Sequence, residues 1–89
     1  MSKRIEKKVW PEYFQAILVG DKKFELRLAD WKCNKGDILV LKEWNPDTKK
    51  YTGRVLEKEV KYVIKTKEAE KFFSKKDIEK FGFQIISFD

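Results

Sequence analysis

The stretch Trp10-Pro11-Glu12-Tyr13-Phe14-Gln15-Ala16-Ile17-Leu18-Val19-Gly20-Asp21-Lys22-Lys23-Phe24-Glu25-Leu26-Arg27 changes period in its middle. Up to Leu18 the apolar residues Trp10, Phe14, Ile17 and Leu18 recur at helical spacing, after a Pro11 whose missing N–H costs nothing in a first turn. Gly20 fits the left-handed position just past a helix end. From Lys23 the period becomes two: Phe24, Leu26 and Leu28 fall on one side, Lys23, Glu25 and Arg27 on the other. A helix followed by a strand with an organised polar face is therefore predicted.

Working outward, residues 4–9 alternate enough for a strand before the helix. After the turn region Asp30 to Gly36, the run Ile38-Leu39-Val40-Leu41 is apolar on both faces and predicts a central strand reaching Trp44. Asn45-Pro46-Asp47 breaks it, and Thr52-Gly53 is read as the far side of a hairpin loop. Residues 54–65 alternate as the longest strand, with Leu56, Val60, Tyr62 and Ile64 inward. Two short helical segments follow, the second opened by Ser74 with Asp77 as a capping pair and closed by Gly82. Residues 83–88 make a last strand. The order β-α-β-β-β-α-α-β predicts a small α+β protein, a mostly antiparallel barrel with one helix after the first strand and short helices before the last.

The length of 89 residues admits one domain, 1–89, with a thin core. The apolar share of 42%, with seven Phe, is enough to fill such a core and argues against disorder. No apolar run approaches the ~20 residues that span a bilayer, and the start lacks a secretory stretch, so a cytoplasmic protein with no membrane partner is expected. The absence of histidine and the single Cys33 close off zinc sites, Ser-His or Cys-His catalysis and an internal disulfide; no metal and no cofactor are expected. The net charge of +6 is uneven. Residues 1–10 carry four cations against Glu6, and residues 32–54 six against three carboxylates, a balance that suits either a polyanion partner or a solvated lysine surface.

The helix followed by Gly20-x-Lys22-x-x-Glu25-x-Arg27, then Lys35-Gly36-Asp37-Ile38-Leu39, resembles the signature of the activating signal cointegrator homology (ASCH) domains. The stretch Glu43-Trp44, Tyr51-Thr52-Gly53-Arg54 and Val60-x-Tyr62-Val63 resembles a short, little-characterised branch of them. The resemblance implies a PUA-like barrel with a cleft beside the first helix into which Lys22, Glu25 and Arg27 project. It also implies RNA, a nucleotide or a modified nucleoside as partner. Some small relatives are similar to amidohydrolases of acylated cytidine and others to ribonucleases, which would make Lys22 and Glu25 catalytic. Glu25 departs from that amidohydrolase pattern, which places Thr there.

Read as residues, Glu25 and Arg27 share a strand face about 6.8 Å apart, with Lys22 at the bend before them. A guanidinium, a carboxylate and an ammonium can grip phosphate and a base edge together, or can neutralise one another as an ion pair. Lys23 adds charge beside them. Trp31, Trp44 and Tyr51 lie in or beside loops where a ring can stack on a base; Trp44 is assigned to the core and Trp31 to stacking. Trp10 is assigned as a hydrophobic staple; Tyr13, beside the main apolar face, either reaches the cleft through its hydroxyl or is partly buried. Arg54, with Lys49 and Lys50, extends a basic rim for phosphates, or is part of a solvated loop. The readings open from sequence are thus a binding module, an enzyme and a protein-interaction domain.

Overall fold

Strand β1, Arg4–Val9, is joined to helix α1, Pro11–Leu18, by Trp10 alone, whose carbonyl accepts from Phe14 N–H at 2.9 Å. The computed structural model describes residues 2–88. Past α1, Gly20 takes φ +88°, and Lys22 N–H bonds back to the Ala16 carbonyl at 3.0 Å. That bond pins the backbone of Lys22 to the end of the helix.

The chain then returns as β2, Ile38–Asn45, parallel to β1 in the register Arg4↔Ile38 through Val9↔Glu43. Parallel neighbours need a crossover, and residues 10–37 with α1 provide it. The tight turn Asn45–Lys49 leads into β3, Lys50–Glu59, antiparallel to β2. The Asn45 side chain accepts from Asp47 N–H at 2.8 Å, so the turn closes locally. The sheet order is β1-β2-β3, a mixed sheet that does not close into a barrel among the described residues.

The core lies between α1 and one sheet face: Val9, Phe14, Ile17 and Leu41 are buried, with Leu39 and Leu56 packed against them. Phe14, at 1% exposure, anchors the helix. Beneath the loop before β2, the buried Asp37 accepts from Asn34 N–H at 2.9 Å and Lys3 N–H at 3.2 Å. The Asn34 bond is the main reason its carboxyl is held below the usual range. After β3 the chain forms α2, Thr66–Ala69, a 3-10 turn Glu70–Phe72 and α3, Lys75–Phe81. Ser74 Oγ accepts from Asp77 N–H at 3.1 Å, the cap expected from sequence.

The α+β class and the first strand, first helix and central strand follow the sequence reading; other expectations are corrected. Residues 23–28 and 83–88, expected as strands, carry no strand ladder. At the outer edge of β1 it is the Arg27 guanidinium, not the backbone of its segment, that meets the Lys8 carbonyl. The long strand runs over 50–59 instead of 54–65, because Ile38↔Glu59 is the last pair β2 can offer. Beyond it, Val60 is held beside the turn before β2 by bonds to Gly36 and Asp37. Gly53, φ +98°, is not in the hairpin loop but inside β3, where residues 52–54 face Glu43 alone in a bulge. Trp10 and Leu18 are about half exposed, so neither packs beneath the helix.

Candidate functional site

Two charged constellations lie on opposite faces of the sheet. Under α1, the bulge at Gly53 turns both Thr52 and Arg54 toward Glu43, a residue 4% exposed. The Glu43 carboxylate accepts from Arg54 Nε at 3.0 Å, Arg54 Nη2 at 2.8 Å and Thr52 Oγ1 at 2.5 Å. Paired guanidinium donors give this contact both its strength and its fixed plane. They are the first cause of a Glu43 pKa below the ordinary carboxylate range, with the Thr52 hydroxyl second. Arg54 also reaches Gln15 Oε1 at 3.4 Å and lies 4.8 Å from the centre of the Phe14 ring. Arg54 is therefore a clamp between β3, β2 and α1, not part of a rim with Lys49 and Lys50. The sequence reading missed Glu43 because a carboxylate inside an apolar strand announces no partner.

The triad singled out from sequence is brought together. Lys22 Nζ is 3.1 Å from Glu25 Oε1, and Arg27 Nε donates to Glu25 Oε2 at 2.5 Å. Lys22 and Glu25 are largely buried. The Lys22 ammonium lies 5.6 Å from the Tyr13 ring centre and 4.9 Å from that of Phe24, so Tyr13 does border this group, through its ring. Glu25 is thus shared between its two cations, the paired arrangement that the sequence left open. Lys23 contributes its backbone N–H to Ser87 Oγ at 3.0 Å, which holds residues 22–28 beside residues 82–88.

Arg27 reaches past the triad. Its Nη2 donates to the Lys8 carbonyl on the free edge of β1, and its side chain lines an open hollow of about 390 Å³ together with Glu6, Lys7, Lys8, Lys42 and Tyr51. The parallel register sets Lys8 beside Lys42 on the face away from α1. Like charges on neighbouring strands repel, and Lys42 is only partly relieved by Glu6 at 3.6 Å. The rings supply the remaining support: Lys8 Nζ lies 4.6 Å from the Trp44 ring centre, and Lys42 Nζ 4.7 Å from that of Tyr51. Lys7 covers Trp31 at 4.0 Å, so that ring is held at the margin of the hollow with one face occupied. Trp44, assigned to the core from sequence, is half-buried and belongs to this surface.

The arrangement holds four cations, one carboxylate and the Tyr51 ring around an open depression. Chemically, such a surface is suited to anions and flat rings. Among the described residues no group of three His, Cys, Asp or Glu is placed to hold a metal ion, and no helix is long and apolar enough to cross a membrane. Burial first, and Asp37 second, push the Cys33 thiol up, away from the thiolate that reacts.

Residues 6–74 match the family described as Domain of unknown function (DUF3850), and the chain belongs to that family. It is also 39% identical over 57 residues to an uncharacterized 12.9 kDa protein in the GpA 3' region of Escherichia phage P2. That match takes in 64% of this chain and 50% of the phage protein, so the chain spans about half the length of its curated relative.

Proposed function

We propose that this member of the DUF3850 family is a binding module for single-stranded RNA or a nucleotide, gripped in the hollow between β1, β2 and Arg27. The observation that carries the reading is the convergence of Lys7, Lys8, Arg27 and Lys42 on one open depression walled by Tyr51, with Trp44 and Trp31 against its lysines. Phosphates relieve the repulsion between Lys8 and Lys42, and a base displaces an ammonium from a ring face, where stacking is worth about 1–3 kcal/mol per base. Arg27, fixed in plane by Glu25, presents its remaining donors at the mouth, and Lys22 supports Glu25 from behind. The ASCH resemblance implies in addition a PUA-like barrel, which residues 23–28 and 83–88, linked by Lys23 N–H to Ser87 Oγ, would complete only by pairing into the sheet.

The test is a fluorescence anisotropy titration of the chain with labelled single-stranded oligonucleotides across a salt series. Affinity is expected to fall steeply with salt, each phosphate contact contributing roughly 0.7 to the logarithmic slope. Lys8→Ala with Lys42→Ala should flatten that slope by about 1.4, and Arg27→Ala should weaken binding at every salt concentration. Absence of binding at low salt, or binding indifferent to salt, removes the proposal. The contact of Lys22 with Glu25 favours a second reading, hydrolysis of an acylated cytidine or of an RNA phosphodiester. It requires turnover of such a substrate that Lys22→Ala abolishes.

A further inference from the structure

A second hollow opens where the chain enters β2 and leaves β3, two segments held together by Gly36 N–H on the Val60 carbonyl and Val60 N–H on the Asp37 carbonyl, each at 2.8 Å. It holds about 350 Å³, and Asn34, Lys35, Lys61, Tyr62, Lys65 and Glu68 are among its walls. Its make-up repeats that of the first hollow: several cations against one carboxylate, with a tyrosine as the sole aromatic ring. Lys61 is shared with Glu59 at 2.9 Å, but neither Lys35 nor Lys65 has an ion-pair partner among the described residues. Tyr62 is 80% exposed, so its ring is open to solvent. Two unpaired ammonium groups beside an open ring are suited to a phosphate and the base next to it.

A basic margin joins the two hollows. Residues 31–35, Trp31-Lys32-Cys33-Asn34-Lys35, contain two lysines and no carboxylate. At one end Lys7, which lines the first hollow, covers the Trp31 ring at 4.0 Å; at the other, Cys33 and Lys35 line the second. Lys3 and Lys7 both act on the Cys33 thiol, opposing the rise that burial gives it, so their charges lie along this margin. The way across β3 is less favourable to phosphate, because Glu57 and Glu59 stand there, already paired with Arg4 and Lys61. Along β2 the four steps from Ile38 to Lys42 cover about 13 Å, so one nucleotide does not fill both hollows.

We infer, on the reading of the first hollow as a nucleotide site, that the second takes a further nucleotide of the same single strand, led to it along residues 31–35. The ligand is then an oligonucleotide and not a lone nucleotide.

The test is an anisotropy titration of the full chain with a labelled single strand of about sixteen nucleotides, the upper range of site size for one small nucleic-acid domain, across a salt series. One strand is expected per chain. Lys35→Ala with Lys65→Ala, both at exposed positions, should lower the logarithmic salt slope by about 1.4, and adding Lys8→Ala with Lys42→Ala should lower it by about 1.4 again. Lys75→Ala with Lys76→Ala on α3 changes net charge equally and should leave the slope as it is. Tyr62→Ala removes no charge and should weaken binding about fivefold or more at an unchanged slope; it decides the matter if the lysine pair does not fold. Two strands per chain, a slope that the α3 pair lowers as much, or full affinity in Tyr62→Ala overturns the inference. A slope that Lys8 and Lys42 alone control overturns it too, while the reading of the first hollow stands. A wild type that binds no strand at low salt removes both.

Discussion

Replacing Glu43 by Gln keeps the volume of the side chain and removes its charge, which isolates the clamp under α1. The Gln oxygen can still accept from Arg54 Nε and Thr52 Oγ1, but an amide NH₂ now points at Arg54 Nη2, donor against donor. One charge-assisted bond is lost, worth about 1.5–3 kcal/mol. Breaking a fully buried pair costs about 3–5 kcal/mol, but the Arg54 side chain is 47% exposed and water recovers part of its loss. The expected cost is about 2 kcal/mol, or a fall in Tm of about 8–16 °C for a chain of this size. The assay is thermal unfolding followed by circular dichroism at pH 7 and then through the acid range. Because the folded Glu43 pKa is depressed below its ordinary value of 4.5, its contribution is present above that pH and is lost as the pH falls through the folded value. The gap between wild type and variant should therefore narrow in acid. The depressed carboxyls of Asp37 and Glu57 act in both proteins and cancel in the difference. Equal melting at pH 7, or a gap that acid leaves unchanged, refutes the clamp.

Phe14→Ala empties the centre of the core and should cost about 3–5 kcal/mol, enough to leave much of so small a domain unfolded in a urea titration. Gly53→Ala places a Cβ at φ +98° and should destabilise by more than about 1 kcal/mol by backbone strain, since open space surrounds the position. Lys8→Ala removes one of two repelling cations, so unfolding in the absence of ligand should stay within about 0.5 kcal/mol of wild type, while oligonucleotide affinity near 0.1 M salt falls about fivefold. Loss of stability with no change in affinity would assign Lys8 a structural role instead.

Much of the local structure is legible in the residues. The Pro11 start and Gly20 stop of α1 and the Ser74 cap rest on contacts a few positions apart, and the unbroken apolar run of β2 marks a central strand by composition, so propensity and period decide them. The same holds for the grouping of Lys22, Glu25 and Arg27, which spans five positions after a helix end. What sequence alone misplaces are the elements that need a distant partner. Residues 23–28 and 83–88 alternate as strands do, yet a ladder needs a neighbouring backbone in register, and here a guanidinium occupies the edge of β1.

The two charged constellations are both products of long-range register. Lys8 and Lys42 become neighbours only because β1 lies parallel to β2 with an offset of 34 positions, and the bulge at Gly53 alone decides that Arg54 faces Glu43 instead of solvent. Each strand states which of its side chains share a face; it does not state which strand lies alongside, or at what shift. Composition and period thus determined the class of fold, the charge and the exclusion of histidine chemistry, since these are properties of the chain itself. Pairing between segments distant in sequence is settled by the packing of the whole, and that pairing decided where the charges converge.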